Sequence, residues 1–204
     1  MIRILICSIM LISCMTGQSI NHSEVIDIKR KVMGIKMSGQ IDHRTTEEKG
    51  WHYRHYDIGG SFPIAESWTA AIQYRSVYTL KDGNWVLEKR PHAQIQKTIN
   101  TKSVKWAIKS RQEYRMKDGK DPGLRNRVRV MAKSNSSWKN LKPYIGNEFF
   151  YDMDINKYNK NRLLIGFDLT QFQFATPSIA FRHITTLADE KWKTTYTMIF
   201  KITF

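Results

Sequence analysis

From residue 24 onward the chain alternates apolar and polar residues, and no long stretch carries apolar residues at helical spacing. The last segment shows the pattern best. Trp192, Thr194, Tyr196, Met198, Phe200, Ile202 and Phe204 fall on one face, opposite Lys191, Lys193, Thr195, Thr197, Lys201 and Thr203, and only Ile199 breaks the series. Leu163, Ile165, Phe167 and Leu169 alternate in the same way with Arg162, Gly166, Asp168 and Thr170. Leu124, Val128, Val130 and Ala132 share a face opposite Arg125, Arg127, Arg129 and Lys133. Clusters of turn formers separate these runs, among them Glu47-Glu48-Lys49-Gly50, Lys81-Asp82-Gly83-Asn84, Asn100-Thr101-Lys102 and Ala188-Asp189-Glu190. Further breaks fall at 117–123, 134–140 and 156–161, and Pro63 and Pro177 mark two more. The spacing predicts about ten strands of about ten to fifteen residues, joined by short links into an antiparallel meander.

An open sheet of that size would expose two edges and would need a second layer over its apolar face. The sequence offers no helix for that layer, so closure into an up-and-down barrel is the expected architecture. The direction of the apolar face then separates a soluble barrel from a transmembrane one. The polar face carries Arg30, Lys36, Arg75, Arg90, Lys105, Lys109, Arg111, Arg115, Arg125, Arg127, Arg129, Arg162 and Arg182 with Asp57, Glu88, Glu113, Glu148 and Asp168. Such a set also fits an ordinary solvated exterior. The tryptophans favour the membrane, because Trp51, Trp68, Trp85, Trp106, Trp138 and Trp192 all lie near predicted strand ends, where interfacial girdles sit. Lys29, Lys31, Lys89 and Lys97 are read on the apolar face near strand ends, where a lipid-facing charge costs little. The expectation is an all-β, closed, antiparallel transmembrane barrel over residues 24–204.

The amino terminus adds a compartment. Met1-Ile2-Arg3, an apolar run from Ile4 to Ile12 and a small polar stretch to Ser19 read as a signal peptide over 1–19, too short to span a bilayer. Two cleavage points remain open. Leu11-Ile12-Ser13-Cys14 is similar to a lipobox, which would leave Cys14 lipidated at the new terminus, and Gly17-Gln18-Ser19 fits an ordinary site. With Cys7 and Cys14 the only cysteines, the exported chain has no internal disulfide.

The formal charge of +15 is spread along the whole chain, so it does not by itself choose among nucleic acid, anionic lipid and an acidic solute. Export argues against nucleic acid. His52 and His55 stand on opposite faces of a strand and do not form a metal pair, and the other histidines lack ligand spacing. No nucleophile elbow, phosphate-binding glycine loop or Cys/His pair is present, so neither an enzyme nor a metal or cofactor site is expected. The alternatives are a lipid-anchored periplasmic barrel binding an apolar ligand, and an outer-membrane lipid-modifying enzyme, whose nucleophile and base need only meet in space. Gly34 and Gly59-Gly60 read as bends or close strand contacts. The candidate site is a lumen charge cluster of Arg75, Glu88, Arg90, Arg111, Glu113, Arg115, Arg125, Arg127, Arg129, Glu148 and Arg162. Carboxylates bonded to several guanidinium groups would brace a narrow lumen, whereas surplus positive charge would hold an anionic solute.

Several pieces in order resemble an uncharacterised outer-membrane β-barrel family, domain of unknown function 2490. They are Ala71-Ile72-Gln73-Tyr74-Arg75, Glu88-Lys89-Arg90-Pro91-His92, Arg111-Gln112-Glu113-Tyr114-Arg115, Leu124-Arg125-Asn126-Arg127-Val128-Arg129, Lys142-Pro143-Tyr144, Asn147-Glu148-Phe149-Phe150 and Asn161-Arg162-Leu163-Leu164-Ile165-Gly166. The likeness runs from about residue 50 to the end and is weakest before Trp51. It implies a barrel fold and an outer-membrane location in a Gram-negative bacterium, with no activity to carry over. The stripe of Tyr196, Phe200 and Phe204 is similar to the terminal signal read by the barrel assembly machinery, which, with outer-membrane lipid, is the expected partner.

Overall fold

The computed structural model describes residues 20–204. Cys14 and the leader expected over 1–19 lie outside the described residues. Eleven strands follow one another: β1 (Ile20–Val32), β2 (Ile35–Thr46), β3 (Gly50–Ala65), β4 (Trp68–Lys81), β5 (Asn84–Asn100), β6 (Val104–Lys117), β7 (Gly123–Ser134), β8 (Leu141–Asp152), β9 (Lys157–Leu169), β10 (Thr176–Ala188) and β11 (Lys191–Thr203). Each pairs with its sequence neighbours, and β1 closes the sheet on β11. The fold is an all-β closed barrel with no helix among the described residues.

The strand beyond the expected ten comes from a hairpin that turn chemistry hid. Met33 and Gly34 join β1 to β2 with φ of 49° and 83°, the two left-handed residues of a tight hairpin turn. Gly34 supplies one of these freely, but Met33 is not a turn former and sits between Val32 and Ile35, so the break reads as continuous apolar chain.

An odd number of up-and-down strands makes the first and last run the same way. The seam is parallel, from Ile20 opposite Tyr196 to Asp27 opposite Thr203. The main chain of Phe204 extends it, donating to the Asp27 carbonyl and accepting from the Lys29 amide, 2.9 Å each. The barrel therefore has an amino rim, where β1 and β11 begin, and a carboxyl rim, where they end. The links at both rims are short: two to five residues at the amino rim and two to six at the carboxyl rim.

Alternation sorts the side chains into two populations. Ile28, Ile41, Ile58, Ile72, Ile95, Ile108, Ile145, Ile165, Ile179 and Phe200 face outward, with Ile58 and Ile72 63% and 68% exposed. Asp27, Asp42, His55, Asp57, Glu88, His92, Arg111, Glu113, Arg125, Arg127 and Glu148 are buried. The fold is thus inverted relative to a soluble protein, apolar outside and charged inside. Tyr196, Phe200 and Phe204 share the outward side of β11, and Ile199, the residue that breaks its pattern, lines the interior.

Two readings of β1 change. Lys29 stands inside, with Nζ 2.6 Å from Asp27 Oδ2, and Lys31 shares its side by alternation, while Arg30 points outward. Three basic residues in a row give both faces the same sign, so composition does not show which one is inside. The neighbours Asp27 and Ile28 decide it.

Candidate functional site: the charged barrel interior

The interior divides along the barrel axis. Toward the amino rim the side chains fill the space. Phe150 is 0% exposed, and Val77, Thr197 and Ser23 are equally inaccessible. The Phe150 ring is surrounded by cations, with the guanidinium carbons of Arg162, Arg127 and Arg125 at 4.6, 4.8 and 5.1 Å from its centroid and Lys160 Nζ at 6.0 Å. The negative face of the ring and the buried carboxylates together hold this cluster.

Glu113, 1% exposed, is the centre of the network. Its Oε2 accepts from Arg125 Nη2 and Nε at 2.5 and 3.0 Å, and its Oε1 accepts from Arg127 Nη1 at 2.6 Å. Arg127 bridges onward, donating from Nη2 to Glu148 at 2.5 Å, and Arg162 meets the other oxygen of Glu148 at 3.3 Å. Glu88 accepts from Arg90 at 2.7 Å and Arg115 at 2.6 Å. Asp57 accepts two bonds from Arg75 at 2.5 and 2.8 Å. Several of these partners face each other on adjacent strands in fixed register, such as Glu113 opposite Arg125, Glu148 opposite Arg162 and Asp57 opposite Arg75, so the pairing of the sheet itself assembles them.

All eleven residues of the expected lumen charge cluster project into this interior. Arg75, Arg111, Arg127, Arg129, Glu148 and Arg162 line a cavity in it, and Glu88, Arg90, Glu113, Arg115 and Arg125 form the packed part beside it. Sequence reasoning missed several members. Asp42 and Arg44 form an ion pair at 2.6 Å, with Ser23 Oγ donating to Asp42 at 2.9 Å. His55 Nε2 lies 3.3 Å from Gln40 Oε1, and His92 Nε2 lies 3.0 Å from Gln73 Oε1. Gln73 reaches His92 because Gly59 leaves room for it: a Cβ at Gly59 would stand 2.4 Å from Gln73 Cγ and 2.3 Å from the Ile72 carbonyl oxygen. Strict counting by two from Gln40 would have placed Asp42 and Arg44 inside.

Toward the carboxyl rim the interior is open. A cavity of about 580 Å³ runs over Asp27, Lys36, Asp42, Arg75, Lys109, Arg111, Arg129 and Arg182, and adjoins one of about 610 Å³ that reaches the rim at Ser134, Asn135, Thr176 and Thr203. Lysines surround the mouth: Lys29, Lys105, Lys133, Lys142 and Lys201 all line it. Asp27 engages Lys29 and Lys201, and Asp168 engages Lys133. The first cavity has eleven Lys or Arg on its wall against four Asp or Glu, so internal pairing leaves positive charge over. Among the described residues no group of three or more His, Cys, Asp or Glu is placed to hold a metal ion.

Comparison with known proteins adds one match. The family described as Protein of unknown function (DUF2490) matches residues 26–173. The chain belongs to this family. The DUF2490 match runs from within β1 to just past β9, so the segment before Trp51, where the sequence likeness is weakest, is part of the family domain. It includes Glu113, Arg125, Arg127, Glu148 and Phe150, the centre of the packed cluster. No curated protein and no solved structure matches the chain.

Proposed function

We propose that the protein is a non-catalytic outer-membrane β-barrel of a Gram-negative bacterium, whose arginine-rich interior braces the barrel at one end and receives an anionic solute at the other. The observation that carries this reading is the inverted polarity. Water around the barrel would leave an isoleucine-rich outer wall solvated and a charged interior desolvated, the costlier arrangement on both counts. Hydrocarbon around it removes the first cost, and closure pairs β1 with β11 along the seam.

Tryptophan placement supports the same reading. Trp51, Trp85 and Trp192 stand at the amino rim and Trp68, Trp106 and Trp138 at the carboxyl rim, giving two belts of three. All six are at least 36% exposed. Arg54 lies over Trp51, Tyr78 and Trp85 at 4.7–5.3 Å, and Lys97 lies over Trp68, so outward charges anchor in the belts. The outer wall has a polar break on β6 to β9 at Gln112, Asn126, Asn147 and Asn161, where Asn161 donates to Asn147 at 2.7 Å and so satisfies part of it. Bacterial barrels usually have even strand counts, but odd-numbered membrane barrels exist. A periplasmic barrel holding an apolar ligand fits less well, because the cavity wall is charged. Outer-membrane lipid and the barrel assembly machinery are the partners this function requires, and nucleic acid is not among them.

Fractionation of expressing Gram-negative cells tests the proposal. The expected result is a heat-modifiable band in the outer-membrane fraction that resists carbonate and urea extraction. A soluble or urea-extracted barrel overturns it.

A further inference from the structure

The interior wall formed by β6 and β7 contains an arrangement that internal pairing does not explain. In register, Lys105 stands opposite Lys133, Lys109 opposite Arg129, and Arg111 opposite Arg127. Like charges directly opposite on one face of an antiparallel pair repel. Two of the three pairs have compensating carboxylates, since Lys133 meets Asp168, and Arg127 meets Glu113 and Glu148. The middle pair has no ion pair of its own: Glu148, opposite Arg129 in register, is engaged by Arg127 and Arg162, and among the described residues no carboxylate lies within 4.0 Å of the Lys109 or Arg129 nitrogens. Both residues line the cavity of about 580 Å³.

Unused donors surround the same space. Arg111 is 8% exposed, and its Nη1, an ion-pair partner of Glu113 at 3.6 Å, makes no hydrogen bond among the described residues. Arg182, three strands from β7, leaves both Nε and Nη2 without an acceptor. A buried guanidinium nitrogen without an acceptor is costly. A single acceptor-rich anion placed among these four residues would remove the repulsion and complete the missing bonds at once.

We infer that Lys109, Arg129, Arg111 and Arg182 form the binding site of a polyvalent oxyanion, a phosphate or carboxylate compound, entering through the lysine-lined carboxyl rim. Guanidinium forks match the paired oxygens of either group, and the site is several times the volume of a halide ion. The inference rests on the proposed solute-receiving interior, and it does not depend on what surrounds the barrel.

The test uses the full chain, purified as a folded barrel in detergent. Inorganic pyrophosphate, citrate and chloride are titrated at matched ionic strength, with affinity read by calorimetry and unfolding read by the heat-modifiable gel shift. We expect pyrophosphate or citrate to bind at least tenfold tighter than chloride and to raise the unfolding temperature with concentration. The tighter of the two assigns phosphate or carboxylate. Lys109→Gln should weaken that binding at least tenfold and, in anion-free buffer, raise the unfolding temperature, because it relieves the repulsion. A merely structural lysine would lower it. Arg129→Lys keeps the charge but loses the fork, and should weaken binding severalfold; it serves if the first variant does not fold. Binding no tighter than chloride, or unchanged in both variants, overturns the site. An embedded barrel that binds neither probe loses the site alone, and a carbonate-extracted barrel that binds one loses the membrane reading alone.

Discussion

The amino-side and carboxyl-side halves of the interior are both lined by charged side chains and reach opposite states. Near the amino rim, Glu88, Glu113 and Glu148 each take at least two guanidinium groups, and Phe150 occupies the remaining space. Near the carboxyl rim lysines replace arginines, carboxylates are fewer, and a cavity remains. The difference follows from side-chain chemistry. Arginine's planar fork bridges two carboxylates at fixed geometry, as Arg127 does between Glu113 and Glu148, and so builds a rigid layer. Lysine is a flexible point charge that stays hydrated, which suits a mouth open to solvent. One half braces the barrel and the other is left with unspent charge.

If that contrast is right, the largest effect should come from the centre of the braced half. Glu113→Gln leaves Arg125 and Arg127 without their shared counter-charge at a position only 1% exposed, and breaking one side of such a buried pair costs about 3–5 kcal/mol. Urea titration of the unheated gel band should show the midpoint falling sharply. Phe150→Ala should cost somewhat less, about 3 kcal/mol, because the three arginines around the ring remain paired to carboxylates when it is removed. The same titration measures it. An unchanged midpoint in both variants would mean that the packed layer does not hold the barrel.

A third substitution compares the two walls of the sheet instead of its two ends. Ile165 faces outward in the middle of β9, opposite Ile145 and Phe181. Under the membrane reading Ile165→Arg places a charge near mid-bilayer and should cost roughly 2–4 kcal/mol, whereas Ile202→Arg near the carboxyl rim should cost about 0–1 kcal/mol. Refolding into lipid vesicles, scored by heat-modifiability, measures both. Equal tolerance at the two positions would argue that no hydrocarbon band surrounds the barrel.

How far the sequence reaches depends on which of these features is local. The faces of β6 and β7 were legible because Tyr114 beside Glu113, and Val128 beside Arg127, leave only one way to assign inside and outside. β1 was not, because Lys29-Arg30-Lys31 makes both faces basic, and β2 was obscured by His43 on its outer side. The hairpin at Met33-Gly34 escaped because its turn residue is apolar. The repelling pairs lay beyond reach for a different reason. That Lys109 meets Arg129 follows from register across the β6–β7 hairpin, and its link of five residues, 118–122, sets no register that sequence alone dictates.

The smallest expected effect is also the sharpest check on the contrast between the halves. Lys142 lines the carboxyl mouth, and among the described residues it makes no ion pair within 4.0 Å. Lys142→Gln removes a hydrated charge from an open rim and should leave the urea midpoint within about 0.5 kcal/mol of the parent. It should still slow the arrival of an anion, because a charge at a mouth acts on encounter more than on final contacts, and its influence is screened over about 8–10 Å at moderate salt. The association rate of the anion should therefore fall in low salt and recover toward that of the parent as salt rises, with stability unchanged throughout. A loss of stability comparable to that of Glu113→Gln would mean that the lysine mouth is as much a part of the brace as the arginine layer, and the division of the interior into two halves would fail.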